Sequence, residues 1–204
     1  EEFIFYLKDL ECKYVVTDEN ASNNLKNAAK KTNAKLLFIE RGDGDNSLKL
    51  KSIDTKKNIS NKPNLNNDLC LILHTSGTTS KPKQVQLSTK NILSSASNIA
   101  NILALSKEDR GLNIMPLFHI HGLIASLLSS VFSGGCLVCT EGFNALALFS
   151  QIKTFNPTWI TAVPTMYQAI LGRSSRNNSI IKSSKIRLLR SSSAAMPVKT
   201  IEEL

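Results

Sequence analysis

Short runs rich in branched and long aliphatic residues alternate with longer stretches at helical spacing along most of the chain, and few architectures accept that alternation. "KYVVT", "KLLFIE", "LCLILH", "LNIMPL", "CLVCT", "TWITAV" and "IRLLR" read as strands. Between them, "ASNNLKNAAKK", "TKNILSSASNIANILAL", "HGLIASLLSSVF", "ALALFSQIKTF" and "PTMYQAILGRS" carry apolar residues at helical spacing. In the second of these, Ile92, Ala96, Ile99 and Leu103 fall on one face, which packs on a sheet. The alternation predicts an α/β fold of mostly parallel sheets flanked by helices, because a parallel pair needs a crossover connection long enough to hold a helix.

One polar segment, Arg41 to Asp68, interrupts the pattern with "RGDGDNS" and "KKNISNKPNLNND". A loop that long is either functional or a linker. Here it separates a first, incomplete α/β part, residues 1–67, from a second α/β unit, residues 68–204. "RGD" at Arg41 to Asp43 reads as a turn, since glycine and aspartate are turn formers. The chain opens on Glu1 without a methionine and stops after "PVKTIEEL", a proline-started helix pattern of barely two turns. A piece of a longer protein is expected.

Composition does not favour disorder: 42% of the 204 residues are hydrophobic and 20% are charged, ordinary for a globular chain. The 25 Lys+Arg against 16 Asp+Glu give a formal +9, which suits nucleic acid, an anionic membrane surface or small anionic substrates. The lysines between Asn20 and Asn67 form no compact block and aromatics for base stacking are few, so a solvated lysine-rich surface is the plainer reading. A basic nucleic-acid-binding module stands as the non-enzyme alternative. Cys136 and Cys139 make a single CxxC, half of a structural zinc site, and read as buried strand cysteines in a reducing compartment. No metal site is expected. Leu117 to Cys139 is the most membrane-like stretch, yet His119, His121, several serines and the Gly134-Gly135 break interrupt it, so it reads as a buried helix and then a strand. A cytoplasmic protein is expected, with a peroxisomal address as the alternative.

The strand "LCLIL" runs straight into "HTSGTTSKPKQV", His74 to Val85. A strand that ends in a Gly/Ser/Thr loop ahead of a helix is how α/β proteins hold phosphates, because backbone N–H groups, hydroxyls and lysines can converge on one anion. The Walker pattern is ruled out, since no second glycine stands before Lys83. What the stretch does resemble is the phosphate loop of the adenylate-forming enzymes, the superfamily of acyl-CoA synthetases, luciferases and nonribosomal adenylation domains, typically T-S-G-[ST]-T-G-x-P-K-G-V. Thr75, Ser76, Gly77, Thr78, Thr79, Pro82, Lys83 and Val85 match it in register. The resemblance implies that Thr75 to Thr79 wrap the β- and γ-phosphates of ATP. It also implies that Lys83 neutralises charge on departing pyrophosphate, with Mg2+ assisting. Two positions depart from the pattern. Ser80 stands for a glycine, in a form associated with oxalate-activating enzymes, and Gln84 stands for the glycine of "PKGV", which is strained if that position needs positive φ.

"IMPLFHIHGL", Ile114 to Leu123, resembles the superfamily's segment bordering the acyl pocket, which implies pocket-wall roles for His119 and His121 and a catalytic one for His119. "NPTWITAVPTMYQAIL" resembles the segment in which a strand ends at Val163 and Pro164 opens a helix. "IRLLRSSSAAMP" resembles the "SGAAPL" strand-to-loop, which implies that Ser193, Ala194 and Ala195 lie along the adenine and that Ser191, Ser192 and Ser193 approach the acid. Serine in place of glycine adds a hydroxyl that a small polar acid could use. A second carboxylate needs such donors, since an unpaired buried charge is costly. The whole chain is thus similar to oxalate-CoA ligase-like acyl-activating enzymes and, less specifically, to 4-coumarate-CoA ligase-like ones. The implied fold is the layered αβαβα N-terminal domain of that superfamily, incomplete here and without the small C-terminal domain. The implied activity is AMP-forming ligation of a carboxylate, a small dicarboxylate such as oxalate, to coenzyme A, with no adenylation by the 204-residue piece alone. Fatty-acid ligases and domains that load a carrier protein are the alternatives within the superfamily.

Overall fold

The computed structural model describes residues 1–42, 48–52, 68–75 and 82–204. By internal contacts the chain divides into two units, Glu1–Asn64 and Leu65–Leu204. The first holds α1 (Glu2–Asp9), β1 (Tyr14–Thr17), α2 (Asn23–Thr32), β2 (Lys35–Arg41) and β3 (Leu48–Ser52). β1 and β2 run parallel around α2, and β3 adds antiparallel to β2. α2 starts where the Ser22 hydroxyl accepts the Leu25 N–H, and it stops at Asn33, whose φ of +56° ends the helix in the left-handed conformation. Leu7, Ala28, Ala29, Ala34 and Leu37 form the buried side of this unit.

The second unit opens on an antiparallel hairpin of β4 (Leu69–Thr75) and β5 (Lys83–Ser88), with Thr75 opposite Lys83. The sequence reading placed the intervening loop before a helix. It precedes a strand instead, and α3 (Thr89–Ile102) follows only after β5. "KQVQLS" hides its strand character because most of it stays exposed and polar. α3 starts on a reciprocal cap: the Asn91 N–H donates to the Ser88 hydroxyl and the Ser88 N–H to Asn91 Oδ1.

β6 (Arg110–Asn113), β7 (Cys136–Cys139), β8 (Trp159–Ala162) and β9 (Leu188–Ser191) form an all-parallel sheet in the order β7-β6-β8-β9. Between β6 and β7 a π-helical stretch, His121–Leu128, runs into α4 (Ser129–Phe132). α5 (Leu148–Phe155) precedes β8, while α6 (Pro164–Ser174) and α7 (Asn178–Ser183) lie between β8 and β9, with α8 (Val198–Glu203) last. Strand parity sorts the two faces. Leu112, Ile114, Ile160 and Ala162 meet Leu148, Phe149, Ile152 and Tyr167 in an apolar core under α5 and α6. Thr161 points the other way, to His121 at the start of the π-helical stretch.

Two positions hold this frame at its ends. Asp109, just before β6, is buried; its carboxylate takes Nε and Nη2 of Arg187 at 2.9 and 2.7 Å, the Thr158 hydroxyl at 2.6 Å and the Ser106 N–H at 2.9 Å. That ties the amino ends of β6, β8 and β9 together. The Tyr167 hydroxyl donates to the carbonyls of Ile160 and Arg190 at 3.1 and 2.9 Å, joining α6 to β8 and β9.

The expectation of buried cysteines is not met. Cys136 and Cys139 are free and exposed because β7 lies at the sheet edge, and their spacing sends the side chains to opposite faces. Among the described residues no helix is long and apolar enough to cross a membrane, and no three His, Cys, Asp or Glu are grouped to hold a metal ion.

Candidate active site

The order β7-β6-β8-β9 reverses direction between β6 and β8. The connection after β6 covers the face where His121 meets Thr161, and α6, after β8, covers the apolar one. A crevice opens at such a point outside the carboxyl ends of the strands, where open α/β sheets take ligands. Several residues singled out by sequence converge there.

His121 is buried, at 6% exposure. Its Nε2 lies 2.7 Å from the Thr161 hydroxyl and 3.1 Å from Nη1 of Arg190, and Nδ1 lies 3.1 Å from the Ser193 hydroxyl. Arg190 Nη1 also donates to Thr161 Oγ1 at 3.0 Å. An arginine can only donate, so Nε2 presents its lone pair and the ring proton sits on Nδ1, aimed at Ser193 Oγ. The chain of donation runs from Arg190 through Thr161 and His121 to Ser193, and leaves the Ser193 hydrogen free for a ligand. Burial, with the charges of Arg190 and His119, pushes the His121 pKa from 6.5 down to about 4, so the neutral ring is the resting form.

Ser193 has a φ of +74°, the left-handed region where glycine is at ease and serine is strained. Its backbone therefore keeps the turn of a glycine while its side chain supplies the hydroxyl. Ser192 continues the ladder through its N–H to the Ala162 carbonyl, and Ser193, Ala194 and Ala195 are exposed beyond it. Ser191 Oγ and Asn113 Oδ1, at the carboxyl ends of β9 and β6, are buried without a partner among the described residues, as polar atoms beside a ligand-binding crevice can be. Gly122 lets the π-helical stretch sit directly on the Met115–Pro116 backbone; a Cβ there would come within 2.3 Å of the Pro116 carbonyl oxygen.

The histidine pair divides. His119 is exposed, beside the Phe118 ring with centroids 5.3 Å apart, and takes no part in the Arg190-Thr161-His121-Ser193 chain. Thr75 and Lys83 face each other at the mouth of the β4-β5 hairpin, both exposed. Ser76, Gly77, Thr78 and Thr79 lie outside the described residues, as does Ser80. Gln84 is paired with His74 within the ladder and has no positive φ, so the strain considered for a glycine replacement does not arise. An apolar cavity of about 590 Å³, lined by Phe149, Ile152, Ile160, Ile170 and Leu204 among others, lies on the apolar face, and none of the polar site residues borders it.

The protein family described as AMP-binding enzyme matches residues 1–204. The chain belongs to the AMP-binding enzyme family. It is 38% identical over 205 residues to a probable CoA ligase of Humulus lupulus named CCL9, and 36% identical over 201 residues to an oxalate–CoA ligase of Arabidopsis thaliana. Each match covers 96% of this chain but only 38% and 39% of the relative, so the chain spans about two-fifths of the length of the curated relatives it matches. Among solved structures, O-succinylbenzoate coenzyme A synthetase from Bacillus subtilis, in complex with ATP and a magnesium ion, superposes with a TM-score of 0.74 at 26% identity, over 99% of this chain and 39% of that one.

Arg190 and Thr161 both lie inside the strand strings "IRLLR" and "TWITAV" and are not among the candidate site residues of the sequence. The usable signal was a charged and a hydroxyl residue near the carboxyl ends of otherwise apolar strands, which the register places side by side.

Proposed function

We propose that the protein carrying this chain is an AMP-forming acid–thiol ligase that activates a small dicarboxylate, oxalate being the type, and passes it to coenzyme A. The observation that carries the substrate class is the polar corner at the sheet's switch point, where Arg190, Thr161, His121 and Ser193 place donors at the carboxyl ends of β8 and β9. A fatty or aromatic acid would leave the Ser193 hydroxyl hydrogen and the Nε–Nη2 edge of Arg190 without partners, at about 1–3 kcal/mol for each group that loses water without gaining a bond. The family match and the two ligase relatives support the reaction class.

A carboxylate is a poor electrophile and oxide a poor leaving group, which is why the acid is first joined to AMP. A carboxylate oxygen attacks the α-phosphorus of ATP and pyrophosphate departs; the coenzyme A sulfur then attacks the acyl carbon and AMP departs. In this reading Thr75, Ser76, Gly77, Thr78 and Thr79 cradle the phosphates and Lys83 offsets charge on the leaving pyrophosphate. Magnesium would supply further neutralisation of the phosphate oxygens. The exposed backbone of Ser193, Ala194 and Ala195 lines the adenine, His121, Ser191, Ser192 and Ser193 face the acid, and His119 borders the route to it. Its neutral ring makes His121 a fixed donor to Ser193 at physiological pH.

The test is thioester formation by the full-length protein with ATP, coenzyme A and, in turn, oxalate, malonate, coumarate and octanoate. Oxalate or malonate is expected to give the highest kcat/KM. Preference for octanoate would overturn the polar-pocket reading, and acyl transfer only to a carrier protein would overturn the role of coenzyme A.

A further inference from the structure

Among the described residues Arg190 is a cation without an anion. Its Nη1 is held by two neutral acceptors, Thr161 Oγ1 at 3.0 Å and His121 Nε2 at 3.1 Å, and among the described residues no carboxylate lies within ion-pair distance of it. Arg187, three positions earlier, shows the contrast, with the Asp109 carboxylate on both Nε and Nη2. Arg190 is half-buried, and burial lowers its pKa from the ordinary value without removing its charge. Folded proteins rarely leave such a charge unpaired, because desolvation without a counter-ion is costly.

The free edge says what is missing. With Nη1 occupied, Nε and Nη2 have no partner among the described residues, and those two N–H groups point parallel from one side of the guanidinium, matched to the two oxygens of a carboxylate. Thr161 and His121 fix Nη1 and so fix the orientation of that edge. The residue sits opposite Thr161 in the β8-β9 ladder, one position before Ser191 and three before Ser193, whose hydroxyl bonds the other side of the same imidazole.

We propose that Arg190 is a specificity-determining residue that receives the second carboxylate of a short dicarboxylate substrate on its Nε–Nη2 edge. This rests on the ligase reading for the identity of the reacting carboxylate, and on the geometry of β8 and β9 for the second one. A nucleotide phosphate offers the same oxyanion chemistry, so the experiment has an arm for each source.

Full-length protein is titrated calorimetrically with malonate and with propionate in the absence of nucleotide, as wild type, Arg190→Gln and Arg190→Lys. Thioester kinetics are measured on the same samples, with the KM for ATP. Glutamine keeps donors toward Thr161 while removing the charge, and lysine keeps the charge while removing the fork. Wild type is expected to bind malonate more tightly than propionate. In Arg190→Gln the malonate-over-propionate ratio, in binding and in kcat/KM, is expected to fall on the order of 100-fold, as when a hydrogen-bonded charge pair loses one partner. Arg190→Lys should fall by less. If thermal melting shows the glutamine variant unfolded, the lysine variant decides, since a ratio equal to wild type there contradicts a role for the fork. A rise in the KM for ATP with the malonate-over-propionate ratio retained would assign Arg190 to a nucleotide phosphate and overturn the proposal. Binding that discriminates through Arg190 without any thioester product would sink the ligase reading and leave this one standing. Thioester formation with no preference for malonate in wild type would do the reverse.

Discussion

Ser193 holds its left-handed backbone at a cost of about 1 kcal/mol, and the bond from His121 Nδ1 offsets part of it. The two contributions separate by substitution. Ser193→Gly loses the hydroxyl and relieves the strain, whereas Ser193→Ala loses the hydroxyl and keeps it. Chemical denaturation should therefore rank alanine below glycine by about 1 kcal/mol; the opposite order would show that the turn is not strained. Both variants should raise the KM for the proposed dicarboxylate. His121 gives a second prediction at this scale. Its folded pKa of about 4 lies below the ordinary 6.5, so between those values the unfolded chain binds more protons than the native one. Stability is then unaffected by this group above pH 6.5, declines as the pH falls toward 4, and levels off below. His121→Asn should flatten that slope, as read by urea midpoints across the range.

At the scale of elements, the sheet is fastened at its amino end by a charge pair and at its switch point by a close approach. The Asp109 carboxyl is held well below its ordinary 3.8, first by the hydrogen bonds from Arg187 and then, against burial, by Thr158 and Ser106. The stability it contributes is fully present above that ordinary value and is lost as the pH falls below it toward the folded pKa. Asp109→Asn should cost about 2 kcal/mol in equilibrium unfolding, toward the lower end for a buried pair because Arg187 keeps 42% of its side-chain surface exposed. Gly122→Ala drives a methyl against the Pro116 carbonyl and should cost about 1–3 kcal/mol while displacing His121, so that stability and dicarboxylate KM worsen together. A change in neither would show that the close approach is not required.

These elements also show why sequence reading stopped where it did. The parallel strands β6, β7, β8 and β9 carry or adjoin apolar runs that announce themselves, and α3 shows its stripe in Ile92, Ala96 and Ala100. β3 and β5 do not: Leu48 and Leu50 alternate with lysines inside a polar stretch, and β5 is mostly exposed, so neither shows a buried face. The π-helical winding at His121–Leu128 has no periodicity signal of its own, and Gly122 within it sits against the Pro116 carbonyl. The local strings "TSGTTSKPK" and "SSSAA" offer candidate residues in the linear order, whereas contacts that depend on register do not show there. Nothing in the linear order tells that Thr161 and Arg190 would share His121, or that His121 and not His119 would be the buried one.

For the whole molecule, the placement of polar chemistry follows from topology. A parallel sheet whose strand order reverses opens one crevice at its carboxyl edge; α5 and α6 pack the opposite face with mostly apolar side chains, and the hydrogen bonds of Arg190, Thr161, His121 and Ser193 gather on the other. The formal charge of +9 suits the substrates proposed above, which are all anions. The most direct test is carboxylate-dependent exchange of labelled pyrophosphate into ATP by the full-length protein, without coenzyme A, with oxalate, malonate, propionate and octanoate compared. Exchange driven by oxalate or malonate, with octanoate near background, is the predicted result. No exchange with any carboxylate, or exchange driven best by octanoate, would contradict it.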